Sequence, residues 1–334
     1  MIDRNSLDSF IAQHKLGREA VQAALEIAHA SPSSQEMQGF TAKMLRLAGV
    51  LSVAAGVVFF IAANWDAFDV YGRFILVEAL LVVSAGLALW KPPPLVVGRG
   101  GLLFAFVMTG VLLALFGQTY QTGADVYELF LTWTVLGLPL VIAAQWSVSW
   151  AAWVLVLNVA LSLFCGMRPE AGPFWFVLAN TDLELAELLL APMMVNLSLW
   201  AVRDYVAQTR WTHVVPSWLG RLILAFAIAY GTWAGTLAIA GEYGEDTNAL
   251  ALIFVLLAYA GVAAYAIRER ADVFPLAAIS GSLILLTTFG LAKALDFDGD
   301  AIFFVLSIWL IASSTVSGRL LMKLVRAWSA EVEA

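Results

Sequence analysis

The chain has 334 residues, of which 61% are hydrophobic and only 13% are charged, and its formal net charge is −7. An ordinary soluble domain carries about a quarter charged residues, so this composition excludes a water-soluble globular protein. The apolar residues recur in long runs along the whole chain. They predict a multi-pass membrane protein whose main partner is the lipid bilayer, with no nucleic acid partner.

Residues 1–40 precede the first apolar run and are polar with an amphipathic pattern. They predict a cytoplasmic hairpin of two short helices, Ser6–His14 and Arg18–His29, followed by a linker at Pro32. The apolar face of these helices fits either the membrane surface or the helix bundle, or else a cytoplasmic protein partner bound by residues 1–30.

Ten apolar runs follow, and each is about long enough to cross the roughly 30 Å hydrocarbon layer as a helix. The alternation typical of barrel strands is missing from them, so the predicted fold class is all-α. We expect a polytopic transmembrane helix bundle over residues 41–320 and a cytoplasmic tail over residues 321–334. The predicted spans are Lys43–Ala63, Gly72–Trp90, Leu102–Phe116, Val126–Ala144, Ser147–Phe164, Leu183–Val202, Trp218–Ala240, Ala249–Ile267, Val273–Ala292 and Ala301–Val316.

An internal repeat is a further hypothesis. Residues 101–137 align with residues 275–312, with Trp133 falling on Trp309. Two four-helix copies in the same membrane orientation would explain this alignment, although apolar helices also align with each other by chance. The copies would be residues 41–145 and 216–320, joined by the spans within residues 146–215.

The basic residues are divided unequally between the two sides of the membrane. Of the 18 Lys and Arg residues, 15 lie before the first span, after the last span or in even-numbered loops. The opposite face, counted as the odd-numbered loops with the adjoining span ends, holds only Arg73, Arg168 and Lys293, together with 14 acidic residues. Because cytoplasmic loops are enriched in Lys and Arg, both termini are predicted to be cytoplasmic and the outer face to be acidic.

Polar residues concentrate in the predicted outer turn between the third and fourth spans. Gln118, Tyr120, Gln121 and Asp125 lie in this turn, and Glu128 lies one helical turn further on. Asp125 is placed to cap the fourth span, and Glu128 suits the same positive end of the helix dipole. The turn is interpreted either as a hydrogen-bonded connection or as the polar lining of an outward-open cavity.

The same predicted face holds Asn64 and Trp65, which end the first span. Glu78 lies inside the second span, about 9 Å below its outer edge at 1.5 Å per residue. A carboxylate at this depth is costly and is a hypothesis of function by default. We expect it to face the bundle or water, with Asn64, Gln118 or Tyr120 as its partner. The predicted vestibule therefore consists of Asn64, Trp65, Glu78, Gln118, Tyr120, Gln121, Asp125 and Glu128.

Two further patterns predict how helices pack. Asn158 and Asn196 lie near the middle of the fifth and sixth spans, where amide side chains usually form hydrogen bonds between helices. Gly231 and Gly235 form a small-xxx-small pattern in the seventh span, which allows another helix to approach closely.

The stretches FIAANW (Phe60–Trp65) and FGQTYQTGADVYELFLTW (Phe116–Trp133) resemble a bacterial multi-pass membrane family described only as a domain of unknown function. The resemblance covers roughly residues 1–165. It implies a protein of the bacterial inner membrane and brings no established activity.

The leading functional hypothesis is a transporter-like or permease-like protein with an acidic outward vestibule that takes a cationic or amphiphilic ligand. The alternatives are a membrane scaffold or sensor that binds its partner through residues 1–30, and an intramembrane enzyme acting on lipid. Enzyme activity is the less favoured reading. The sequence has no phosphate-binding glycine loop, no paired-histidine zinc motif and no nucleophile elbow, so we expect no cofactor and no metal.

Overall fold

A computed structural model describes residues 34–64, 67–121, 123–167, 185–209, 217–241, 248–295 and 301–333. Every regular element in these ranges is a helix. The helix over Ala249–Tyr265 continues as a π-helical turn over Ala266–Arg270. In chain order the helices are α1 (Ser34–Ala63), α2 (Val70–Trp90), α3 (Val96–Tyr120), α4 (Val126–Ala144), α5 (Ser147–Met167), α6 (Leu185–Leu188), α7 (Leu190–Thr209), α8 (Ser217–Ala240), α9 (Ala249–Tyr265), α10 (Val273–Leu295) and α11 (Ala301–Glu333).

The helices confirm the predicted fold class, an all-α polytopic bundle of about ten spans. Within the described residues, nine segments are long and apolar enough to cross a membrane, and α6 and α7 together make one of them, Leu185–Tyr205. The first predicted span, Lys43–Ala63, lies within the 30-residue helix α1. Hydrocarbon offers no hydrogen-bond partners, so a chain of this composition pairs its backbone groups within helices.

The predictions for the two ends of the chain have different outcomes. The last span was predicted to end at Val316, but α11 continues to Glu333, so residues 321–333 are helical as well. No proline interrupts this stretch, and leaving the membrane does not by itself end a helix. The predicted hairpin within residues 1–30 lies outside the described residues. The proposed repeat stays a prediction.

The chain divides into two compact units, Met1–Leu76 and Val77–Ala334. In the first unit, the carboxylate of Asp69 accepts a hydrogen bond of 2.9 Å from the backbone N–H of Gly72. This side chain caps the start of α2, as aspartate does at many helix N-termini.

In the second unit, α3, α4 and α5 are held together by tryptophan side chains. The indole N–H of Trp133 on α4 donates to the carbonyl of Phe106 on α3 at 2.8 Å. The indole N–H of Trp153 on α5 donates to the carbonyl of Thr134 on α4 at 2.9 Å. A buried indole needs an acceptor, and each of these bonds fixes the register of two neighbouring helices.

Helix α8 is the centre of the second half, because α6, α7, α9 and α10 all pack against it, and α5 also contacts it. Small residues on α8 allow this. A Cβ at Gly231 would lie 2.7 Å from the hydroxyl of Tyr259 on α9, and a Cβ at Gly235 would lie 2.9 Å from Leu286 on α10. The prediction that Gly231 and Gly235 admit close packing is therefore confirmed.

An amide pair joins α5 to α7. The Nδ2 of Asn196 donates to Oδ1 of Asn158 at 2.8 Å, and the Nδ2 of Asn158 donates back to Oδ1 of Asn196 at 3.1 Å. Tyr230 on α8 adds a third helix, because its hydroxyl donates to the carbonyl of Asn158 at 3.0 Å. The predicted hydrogen bonding between Asn158 and Asn196 is confirmed.

Replacing Gly110 on α3 by alanine should destabilise the protein. The new methyl group would lie 2.4 Å from the ring of Trp133, and that ring is held by its bond to Phe106. Such overpacking typically costs about 1–3 kcal/mol. Thermal unfolding in detergent measures the loss. The matched control is Gly281→Ala on α10, where a Cβ meets nothing within 4 Å. Equal unfolding temperatures for the two variants would contradict the packing described here.

Asn196→Leu should lower the free energy of unfolding by about 1–3 kcal/mol, because the amide of Asn158 loses its buried partner. The double variant with Asn158→Leu should lose less than the sum of the two single variants, since no orphaned amide then remains. Chemical unfolding in mixed micelles provides the measurement. Strictly additive losses would show that the two amides are not coupled.

Candidate functional site

Most residues of the predicted outer turn between α3 and α4 lie within the described ranges. Gln118 and Tyr120 are exposed, and the ring of Tyr120 lies 4.8 Å from that of Phe116, measured between centroids. Gln121 adopts a left-handed conformation with φ of 43° and donates its backbone N–H to the carbonyl of Gly117 at 3.1 Å. This part of the turn therefore ends α3 in the usual left-handed way.

Asp125 occupies the N-cap position of α4, as predicted, but its carboxylate makes no capping hydrogen bond. Instead the backbone carbonyl of Asp125 accepts from the N–H of Glu128 at 3.0 Å. The carboxylate of Glu128 accepts from the hydroxyl of Tyr127, with 3.4 Å between the oxygens. The Asp125 carboxylate, which is half-buried, thus stays available at the start of α4.

Two other members of the predicted vestibule, Glu78 and Asn64, lie within the described residues. Glu78 is exposed on α2 and forms no hydrogen bond or ion pair within the part of the chain that the structure describes. Asn64 belongs to the first unit, where its side chain donates to the carbonyl of Phe60 at 2.9 Å. Trp65 lies outside the described residues. The vestibule therefore stays a prediction.

A polar pocket that the sequence did not reveal lies between α7, α8, α9 and α10. Its volume is about 350 Å³, which is within the range of sites for small ligands. It is named here the interhelical pocket, and its polar and aromatic lining consists of Trp200, Arg203, Asp204, Ser217, Arg221, Tyr265, Asp272 and Phe274. By chain direction it lies at the opposite end of the helices from the turn between α3 and α4.

One wall of the interhelical pocket is a buried ion pair. Arg203 and Asp204 are neighbours on α7, and Nη1 of the arginine lies 3.5 Å from Oδ1 of the aspartate. The other carboxylate oxygen of Asp204 accepts a short hydrogen bond from the hydroxyl of Tyr265. The guanidinium of Arg203 lies against Gly220 on α8, where a Cβ would be 3.0 Å from Nη1. These groups hold α7, α8 and α9 together at this end.

A second ion pair lies at the more open side of the pocket. Arg221 on α8 and Asp272 before α10 are 3.5 Å apart, with half and about a third of their side chains exposed. The distance is the same as in the Arg203–Asp204 pair, so the greater exposure of its side chains is what distinguishes this second pair. Asp272 also caps α10, because its Oδ1 accepts from the N–H of Phe274 at 3.0 Å.

The segment between α9 and Asp272 has an unusual backbone conformation. The π-helical turn Ala266–Arg270 ends α9, and Ala271 follows in the left-handed region with φ of 48°. A single π-helical turn often accompanies a functional site, and a left-handed alanine is strained. This turn brings Asp272 next to Arg221 on α8.

An apolar groove lies beside the pocket, between α9, α10 and α11. Its volume is about 580 Å³. Its lining is almost entirely apolar, so hydrocarbon chains of surrounding lipid can enter it. It is named here the acyl groove, and its lining includes Ala263, Ile267, Leu276, Ile279, Ser280, Leu283, Trp309, Ala312, Ser313, Val316 and Leu320.

At the end of α8 away from the pocket, other hydrogen bonds join the helices. The ammonium of Lys293 donates to the carbonyls of Ile239 and Ala240, at 2.7 and 3.1 Å. Its positive charge lies where the carbonyl end of a helix is most negative. Asn248 donates its amide to the carboxylate of Glu187 at 3.2 Å and thereby joins α9 to α6.

Sequence reasoning missed the pocket because it counted Arg203 and Arg221 only among the basic residues of the predicted cytoplasmic side. A signal was available in the adjacent Arg203-Asp204, since two opposite charges at one span end can satisfy each other inside a bundle. What the sequence could not supply is that four helix ends converge on this pair. Within the described ranges, no three His, Cys, Asp or Glu side chains are grouped so as to hold a metal ion.

A protein-family model described as "Predicted membrane protein (DUF2157)" matches residues 8–150 of the chain. No curated protein and no solved structure matches it. The family match supports the resemblance to a membrane family of unknown function over the first part of the chain. The interhelical pocket and the acyl groove are built from later residues, beyond the matched range.

The two aspartates of the pocket should respond differently to amidation. Asp204→Asn removes the charge that compensates buried Arg203, and we expect a loss of up to about 3 kcal/mol in the free energy of unfolding. Asp272→Asn removes a partly solvated charge and keeps the capping oxygen, so its loss should stay below about 1 kcal/mol. Thermal unfolding of both variants in detergent distinguishes them. A larger loss for Asp272→Asn would reverse the roles given to the two pairs.

Proposed function

We propose that the chain is a permease-like protein of the bacterial inner membrane and that its solute binds in the interhelical pocket. The observation that carries this proposal is a cavity of about 350 Å³ lined by two arginine–aspartate pairs within a helix bundle. Ionisable residues are costly inside membrane proteins and generally mark the pathways of ions or substrates. A protein that served only as an apolar scaffold would not need them.

The pocket leads towards a cluster of buried hydroxyl groups. Leu224, which lines the pocket, lies one helical turn from Ile228, whose carbonyl accepts hydrogen bonds from Thr232 and Tyr259. The hydroxyl of Ser282 lies 2.6 Å from that of Thr232 and 2.9 Å from that of Tyr259. Hydroxyl groups that bind one another in the closed state can bind a polar solute when the helices separate.

The opposite opening of the pathway would be the predicted outer vestibule. Its acidic turn, with Gln118, Gln121 and Asp125, lies at the other end of the helices and would attract cations from outside. In an alternating-access cycle the binding site opens to one side at a time. With both termini on the cytoplasmic side, as predicted, the pocket would open to the cytoplasm, and the packed cluster around Leu224 and Ile228 would close the path beyond it.

The lining of the pocket favours a solute that carries both charges. Arg203 and Arg221 supply two positive groups, while Asp204 and Asp272 supply two negative groups. A zwitterion can pair with both signs at once, whereas a simple ion would leave one sign without compensation.

Cysteine accessibility tests the pathway. We expect Thr232→Cys, in a Cys165→Ala background, to react with a charged, membrane-impermeant thiol reagent from both sides of the membrane. Water must reach this position when the path opens. Ser217→Cys at the pocket mouth should react only from the cytoplasmic side. Labelling rates in intact cells and in inside-out vesicles are the measurement.

The matched control is Thr287→Cys on α10. Thr232 and Thr287 lie at similar depths, about 21–23 Å from the first residues of α8 and α10 at 1.5 Å per residue, but Thr287 is exposed on the outer surface of the bundle. Lipid should keep it unreactive. If the cysteine at position 232 reacted no faster than the one at 287, no aqueous path would exist and the proposed function would be rejected.

A further inference from the structure

We infer that the ligand of the interhelical pocket is an amphiphile whose headgroup carries a phosphate and an ammonium group, as phosphoethanolamine lipids do. The headgroup would bind between Arg221 and Asp272, and one acyl chain would lie in the acyl groove. This inference rests on the proposed function and names its substrate class.

The two ion pairs of the pocket have different tasks. Asp204 is held by both Arg203 and Tyr265, so this pair keeps its geometry when a ligand binds. Arg221 and Asp272 are also 3.5 Å apart, but both are partly exposed, so a ligand can exchange for either partner. A phosphate then binds the guanidinium of Arg221, and an ammonium binds the carboxylate of Asp272.

The acyl groove supplies the place for the hydrocarbon chain. Along α10 it runs from Leu276 to Ile284, about 12 Å at 1.5 Å per residue. That length is close to half of the roughly 30 Å hydrocarbon core, which is the depth of one leaflet. The lining is apolar apart from a few serines, and the hydroxyl of Ser313 is already bonded to the carbonyls of Trp309 and Leu310.

The pocket and the groove meet along α9 and α10. Ala266 lines the pocket, and the next residue, Ile267, lines the groove. On α10 the same holds for Pro275 in the pocket and Leu276 in the groove. Consecutive residues project from adjacent sides of a helix, so a headgroup in the pocket has hydrocarbon-lined space directly beside it. A water-soluble zwitterion would use the pocket and leave the groove to unrelated lipid.

The test uses the full chain, stripped of lipid and mixed with equal amounts of phosphatidylethanolamine, phosphatidylcholine and phosphatidylglycerol. Native mass spectrometry counts the lipids that stay bound. We expect at least a fivefold preference for phosphatidylethanolamine over both others. Asp272→Asn, which keeps the α10 cap, should abolish the preference over phosphatidylglycerol, because the ammonium loses its counter-charge. Arg221→Gln should weaken the binding of all three.

A second pair of variants tests the groove. Ala312→Phe fills it and should reduce lipid retention at least fivefold, whereas Ile311→Phe on the exposed side of α11 should change nothing. Soluble glycerophosphoethanolamine should not protect Ser217→Cys from labelling at concentrations where the lipid does. Equal retention of the three lipids, or equal protection by the soluble headgroup, would overturn the inference. The labelling of Thr232→Cys would be unaffected, so the proposed function would survive that failure.

Discussion

The structure depends on one constraint, which is that hydrocarbon cannot form hydrogen bonds. Polar groups placed between the helices therefore mostly find their partners in the protein, with the buried hydroxyl of Ser149 an exception among the described residues. The indole of Trp133 finds a carbonyl on α3, and the amides of Asn158 and Asn196 find each other. Because a polar partner has only one correct position, these bonds specify which helices are neighbours and in which register. Apolar contacts with lipid on all sides would not specify this by themselves.

Among the described helices, α8 shows the most of these hydrogen bonds between neighbouring helices. Its small residues bring neighbouring helices close, and its polar residues then bond to them at successive levels. Tyr230 contacts α5, Thr232 contacts α9 and α10, and Lys293 on α10 binds the last carbonyls of α8. The interhelical pocket lies at the end of α8 that begins at Ser217, and two arginine–aspartate pairs line it there. A binding site at this end is thus anchored to the most constrained helix of the unit.

The sequence was sufficient for the helices and insufficient for the pocket. Apolar runs of membrane length predict spans well, because length and hydropathy are local properties. The bonding of Asn158 to Asn196 was also predictable, since an amide in the middle of the membrane has few other hydrogen-bond partners. By contrast, the sequence leaves open which way the Glu78 side chain faces; it is exposed on α2, and its place in a vestibule stays a prediction. The direction of one side chain depends on the rotation of its helix, which apolar residues on all sides leave undetermined. The convergence of Arg203, Arg221 and Asp272 is likewise a property of tertiary packing.

The length of α11 has a consequence for the depth of the protein in the bilayer. At 33 residues it is about 50 Å long, and even a tilt of about 40° leaves about 38 Å along the membrane normal. That exceeds the roughly 30 Å of hydrocarbon, so the last turns stand among the lipid phosphates or beyond them. Arg319, Lys323 and Arg326 follow one another at helical spacing in these turns. Their attraction to phosphate oxygens fixes the height of α11, and with it the level at which the acyl groove meets the leaflet.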